Sequence, residues 1–175
     1  MLDIACNSGF WSIQCALLGA QVVGFDSRPE LIDQANLVKS IVGVHNVDYQ
    51  VLDFWDMSQQ TLGGTFDIVL MLGILYHLPE PIEALKLARA MARTHILLDT
   101  SVYRSHDSLV KLVWEEPFDI RAASKAGVVA GPSKGAIDLI LRHIGAADWF
   151  EIPVSTADMP LDYLDGGRAS WLVRV

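Results

Sequence analysis

Residues 2–26 constrain the fold more than any other stretch of the chain. They run Leu2-Asp3-Ile4-Ala5-Cys6-Asn7-Ser8-Gly9-Phe10-Trp11-Ser12, then a helical segment, then Gln21-Val22-Val23-Gly24-Phe25-Asp26. This reads as strand, tight loop, helix, strand, with an acid closing each strand. In an open parallel sheet, ligands bind outside the carboxyl ends of the strands, where Asp3 and Asp26 fall. The loop between them is built from small residues, Ala5, Asn7, Ser8 and Gly9, so a ligand can approach the backbone. Asn7 tolerates left-handed backbone angles better than most residues, and Gly9 adopts them freely. The helix starting near Phe10 aims its positive end at the same place.

The rest of the chain alternates in the same way. Residues 10–18 read as a helix ended by Gly19, and 21–26 as an apolar strand. Pro29 suits a first helical position. Leu31, Ala35, Val38 and Val42 follow at helical spacing, and Gly43 stops that helix. Residues 47–52 alternate loosely and lead into Asp53-Phe54-Trp55-Asp56. After a Gly63-Gly64 turn, 66–72 is a continuous apolar run of the kind a central parallel strand shows. Residues 79–92 read as a helix with Ile82, Leu85, Ala88 and Met91 facing inward, and 95–100 as the next strand. These alternations predict an α/β doubly wound sheet. Over 101–132 the periodicity lapses, apart from a short helix expected at 109–114. So long an irregular stretch is usually functional or mobile, and it is expected to cover the substrate side. Ser133 is placed to cap a helix whose inward face is Ile137, Ile140, Leu141 and Ile144. Residues 148–154 and 169–175, joined around Gly166-Gly167 with no helix between them, predict an antiparallel hairpin. The whole reads as one domain, 1–175, with a mostly parallel seven-stranded sheet.

The strings LDIACNSGFWS and LGILYHLPEP carry a family resemblance. Asp3, Ala5, Asn7 and Gly9 are similar to motif I of the class I S-adenosylmethionine-dependent methyltransferases, an acid followed by three small residues at alternate positions. Ala5 and Asn7 stand where that family usually has glycine. A parallel sheet finished by an antiparallel hairpin is also how these Rossmann-like enzymes end. Closer in, residues 2–9 with 73–77 resemble the branch that includes the tRNA wobble-uridine carboxymethyl-transferring enzymes and their uncharacterised relatives.

The resemblance implies S-adenosyl-L-methionine as cofactor and in-line methyl transfer as the reaction. It implies that Ala5, Cys6, Asn7 and Gly9 form the cofactor loop. Asp26, with Ser27 beside it, would receive the ribose hydroxyls; Asp53 would hold the adenine amino group, with Phe54 beside the ring. Asp3 would order the loop or receive the methionine amino group through water. Backbone carbonyls of Leu72 or Gly73 would receive the ammonium. His77 is a candidate general base by its titration range, and Tyr76 a candidate base or substrate wall. Structural roles compete: Asp26 or Ser27 as a helix cap, Asp53 as a solvated loop acid, His77 as a packing residue. Tyr103, His106 and Trp114 read equally as a substrate wall or as loop anchors.

Composition narrows the rest. Thirteen Lys and Arg stand against 21 Asp and Glu, a net charge of −8. A large basic face for nucleic acid is therefore not expected, and a small-molecule substrate is. The five histidines make no short-spaced ligand motif, so no metal site is expected. Cys6 and Cys15 fit neither a zinc nor a redox spacing and read as reduced thiols, which implies a cytoplasmic setting. No apolar run approaches the ~18 residues that span a membrane. The first strand begins at the second residue, so the front segment that covers the cofactor in the resembling enzymes is expected to be missing. A homo-oligomer or a partner subunit would then cover that face. Two other readings stay open: a non-catalytic methyltransferase-like binding subunit, and a nicotinamide-dependent oxidoreductase. The second should show glycine-x-glycine-x-x-glycine, which residues 5–10 do not.

Overall fold

The computed structural model describes residues 1–116, 127–154 and 158–175. The first strand is as short as its sequence: β1 is Leu2–Ile4, three buried residues. It lies in the middle of the sheet, parallel to β2 (Val22–Asp26) on one side and to β4 (Phe66–Leu72) on the other. Strand β3 (Val47–Val51) pairs parallel outside β2, and β5 (Ala92–Ser101) parallel outside β4. The sheet ends in two antiparallel strands, β8 (Asp148–Glu151) and β9 (Arg168–Arg174). The seven-stranded order is β3-β2-β1-β4-β5-β9-β8. The expected antiparallel pair is therefore present, with β9 inserted between β5 and β8.

Helices α1 (Phe10–Leu17) and α2 (Pro29–Val42) pack on β2 and β3. Helix α3 (Pro81–Met91) packs on β4 and β5, and against α4 (Lys134–His143). Right-handed crossovers put the two sets on opposite faces. One core cluster gathers Ile4, Val69, Leu85, Ile96, Ile137 and Trp171. A smaller one under α1 holds Ile13, Ala16, Val22, Val44 and Val47. Ser133 caps α4 as its sequence predicts: its hydroxyl accepts from Ala136 N at 3.2 Å. Ile137, Ile140 and Leu141 are buried, and Ile144 packs against them. Among the described residues, no helix is long and apolar enough to cross a membrane.

Two expectations are corrected. Ile82 does not face inward; it is 43% exposed, while Ala84, Leu85, Ala88 and Met91 line the core. Residues three apart drift about 60° per step around a helix, so a run of four such residues does not share one face. In α2 the apolar spacing outlasts the buried face: Leu31, Ile32 and Ala35 are buried, but Val38 and Val42 are exposed. A 14-residue helix, roughly 21 Å long, overhangs five-residue strands of about 17 Å. The short helix expected at 109–114 is a strand, β6 (Val110–Glu115), paired antiparallel with β7 (Gly127–Pro132) in a separate two-stranded sheet. The described residues of 101–132 thus include a hairpin whose β7 strand packs against the 3₁₀ turn Leu75–His77. Its residues 117–126 lie outside the described ones.

Candidate functional site

The loop after β1 holds an unusual backbone. Ala5, Asn7 and Gly9 all have positive φ, at 53°, 52° and 82°. The alternate-glycine pattern survives in conformation where the residues have changed. For alanine a left-handed conformation costs roughly 1–2 kcal/mol, and such strain concentrates at functional sites. The turn is closed by Cys6 N to Phe25 O and Gly9 N to Cys6 O, both at 2.9 Å, and by Ser8 N to Asn7 Oδ1 at 2.7 Å. A β-carbon at Gly9 would lie 2.2 Å from the Tyr49 hydroxyl, which donates to Gly9 O, so a larger residue would have to displace that ring. Burial pushes the Cys6 thiol well up, so it sits in the loop as a protonated, unreactive group.

The acids at the strand ends are engaged. Asp3 is buried and its carboxylate accepts the Ser12 hydroxyl at 2.6 Å. Burial pushes its pKa up to about 6 despite that hydrogen bond. Its contact with the first turn of α1 fits the loop-ordering role. Asp26 is 1% exposed. One oxygen accepts Arg28 N at 3.1 Å and Arg28 Nε at 2.7 Å; the other accepts Asn7 N at 3.0 Å and Arg28 Nη2 at 2.8 Å. Asp26 therefore ties the loop to β2, and its hydrogen bond holds the Arg28 guanidinium above its ordinary pKa. Asp53 caps the 3₁₀ turn Phe54–Asp56 by accepting Trp55 N at 3.1 Å.

Two cavities open on this edge, and both are lined by Ala5. The first, about 300 Å³, is walled by Asp26, Ser27, Asp53, Phe54, Trp55 and His77, with residues 127–129 of β7 on the far side. The second, about 250 Å³, lies over the loop between Asp3, Cys6, Asn7, Phe10, Trp11 and Leu72. Phe54 is mostly core, and Trp55, edge-on to it at 5.0 Å, is the more exposed ring.

Beyond β4 the chain turns at Gly73, whose φ is +79° and whose N–H donates to Asp99 O. Tyr76 and His77 follow in the 3₁₀ turn, their rings 4.1 Å apart. His77 faces the first cavity; Tyr76 lines neither and lies under Arg168 instead. Glu115, the last residue of β6, reaches His77 Nδ1 with both oxygens, at 2.9 and 2.8 Å. Arg168, beside Gly73, pairs with buried Asp99, which also accepts Tyr163 OH at 2.7 Å and Ser170 Oγ at 2.6 Å. Burial opposes the Arg168 cation, but Asp99 more than offsets it and holds the pKa above the ordinary value.

Tyr103, His106 and Trp114 are all exposed and line neither cavity; Tyr103 sits under Lys111, and Trp114 donates to Glu116. The side chains that sequence reasoning missed are Arg28, Glu115 and the Arg168–Asp99 pair. Arg28 carried a local signal, a guanidinium two residues after a strand-end acid. Glu115 and Arg168 carried none, because their partners lie 38 and 69 residues away.

A family described as a methyltransferase domain matches residues 1–95, just over half of the chain. A "Ubiquinone biosynthesis O-methyltransferase" of Xanthomonas axonopodis pv. citri (strain 306) is 34% identical over 93 residues, 53% of this chain and 38% of that protein. The protein of the same name from Xanthomonas oryzae pv. oryzae (strain PXO99A) is 37% identical over 93 residues, 53% of this chain and 37% of its own length. The match thus spans under two fifths of these relatives. Among solved structures, the N-terminal domain of EvdMO1 with SAH bound superposes with a TM-score of 0.79 at 24% identity, covering 99% of this chain and 71% of that one. Magnesium protoporphyrin IX methyltransferase (ChlM) from Synechocystis PCC 6803 with bound SAM gives 0.68 at 18% identity, covering 99% and 69%. These likenesses show a shared fold.

Proposed function

The chain belongs to the methyltransferase-domain family, and from that membership we propose that it binds S-adenosyl-L-methionine and transfers the methyl group to an oxygen of a small-molecule acceptor. The observation that carries this reading is the pair of cavities meeting at Ala5, with Asp3 of β1 on one and Asp26, the last residue of β2, on the other. Their size and lining fit a two-ended ligand bent across the loop. Asp26 and Ser27 would take the ribose, and Asp53, Phe54 and Trp55 the adenine. The second cavity, with Asp3, Asn7 and Leu72, would take the methionine end, with Gly73 beside it. When bound, the cofactor supplies an electrophilic methyl on a sulfonium, with a neutral thioether as leaving group. The chain's own work is then positioning, desolvation and removal of the acceptor's proton. His77 on the cavity wall is the general base, and the β6–β7 hairpin is the substrate-side cover. The relatives' name, O-methyltransferase, supports oxygen as the acceptor atom. A cytoplasmic setting goes with this reading.

A second reading, transfer at a tRNA wobble uridine, rests on the likeness of residues 2–9 and 73–77 to that branch. The net charge of −8 weighs against it. Calorimetric titration with S-adenosylhomocysteine tests the main reading; one-to-one binding is expected, and no binding would overturn it. A parallel titration with tRNA separates the second.

A further inference from the structure

His77 and Glu115 form a contact that neither the family match nor the cofactor cavities require. His77 ends the 3₁₀ turn after β4 and faces the first cavity. Glu115 comes from a different sheet, 38 residues along the chain. The hairpin is pinned for the purpose: Ala130 N donates to Leu78 O at 3.0 Å, and Tyr103 N to Pro132 O at 2.9 Å. Cross-strand register then sets Glu115 opposite Gly127, itself on the cavity wall. Both carboxylate oxygens converge on one nitrogen, Nδ1. The Tyr76 ring, tilted 44° against the imidazole, limits its rotation. Among the described residues, Nε2 has no hydrogen-bond partner.

We infer that Glu115 is a positioning residue that holds the His77 ring with a proton on Nδ1, so that the ring when neutral presents its lone pair on Nε2, and that the acceptor is a neutral hydroxyl such as a phenol. This rests on the methyltransferase reading above. A carboxylate accepts only, so Nδ1 must donate; in the neutral ring the lone pair is then on Nε2. As the acceptor oxygen forms its bond to the methyl carbon, its O–H bond breaks and the proton goes to Nε2. The C–S electron pair stays on sulfur. The imidazolium that results is balanced by Glu115 until the proton passes to solvent. An acceptor already ionised at neutral pH, such as a carboxylate, would have no use for this pair.

The test is NMR on histidine-labelled protein saturated with S-adenosylhomocysteine, at a pH where the ring is neutral. The His77 signal is assigned by its loss in His77→Gln. Wild type is expected to show the Nδ1–H tautomer. Glu115→Gln keeps it, because the amide oxygen still accepts, and Glu115→Leu loses it. Catechol, as a phenol probe, is expected to shift the wild-type Nε2 resonance. An Nε2–H tautomer in wild type, an unchanged tautomer in Glu115→Leu, or no Nε2 shift with catechol would each overturn the inference. Failure of S-adenosylhomocysteine to bind wild type would overturn the methyltransferase reading itself, and the tautomer would still be readable. The amide fingerprint of each variant shows that it is folded.

Discussion

Replacing Asp26 with alanine should separate the fold's need for this carboxylate from the cofactor's. The carboxylate is 1% exposed and accepts four hydrogen bonds, three of them from Arg28. Arg28 is itself largely buried, with its side chain 12% exposed. Removing one partner of a buried pair costs about 3–5 kcal/mol, and this arginine's access to water puts the cost near the lower end. In a domain of this size that lowers the melting temperature by roughly 6–12 °C. The ribose would also lose hydrogen bonds to a charged acceptor, about 1.5–3 kcal/mol, so the dissociation constant for S-adenosylhomocysteine should rise roughly ten- to a hundredfold. The double variant Asp26→Ala/Arg28→Ala removes the cation as well and should recover none of the affinity. Differential scanning calorimetry and isothermal titration on the three proteins read the two effects apart. Unchanged affinity in Asp26→Ala, or affinity restored in the double variant, would refute the ribose assignment.

Three further outcomes follow from the same loop. Ala5→Gly should be neutral or stabilising by up to about 1 kcal/mol in denaturant melts, because relief of the left-handed alanine offsets the glycine's chain entropy; a clear loss would show that the alanine is not strained. Gly9→Ala should cost at least ~2 kcal/mol, since the new β-carbon meets the Tyr49 hydroxyl at 2.2 Å and φ is +82°; an unshifted melting temperature contradicts the tight approach. Asp3, whose pKa is raised from 3.8 to about 6, binds a proton in the folded state that the unfolded chain has released. Its contribution is fully present below pH 3.8 and is lost as pH rises through 6. Asp3→Asn should therefore gain on wild type across that window, on the order of 2–3 kcal/mol by pH 7, while keeping an acceptor for Ser12. A stability difference that does not change with pH would show that the raised value is wrong.

The site's first half was legible because each of its requirements is local. A strand of three residues, a loop of small side chains and an acid at each strand end are all set within 26 positions. Gly43 closing α2 and Ser133 opening α4 are equally local, and both stand where the sequence put them. The second half depends on pairing at a distance. Val110, Leu112 and Trp114 alternate with polar or smaller residues, a strand pattern, but the partner strand lies beyond residues 117–126 and gives no nearby signal. A short helix at 109–114 leaves Glu115 no route to His77. The insertion of β9 between β5 and β8, which brings Arg168 to Asp99 and Gly73, is likewise a matter of sheet order that no local pattern encodes. Ile82 is out of register for a simpler reason: residues at three-residue spacing do not share one helical face.

The central claim is that one ligand bends across Ala5 and occupies both cavities. A crystal structure of the complex with S-adenosylhomocysteine tests it most directly. The account predicts the ribose hydroxyls on the Asp26 carboxylate, with Arg28 displaced or sharing it. The adenine should lie against Asp53 and Trp55, and the amino-acid end between Asp3, Asn7 and Leu72. A ligand bound elsewhere, or one that leaves the second cavity empty while Arg28 keeps Asp26 fully engaged, would contradict it.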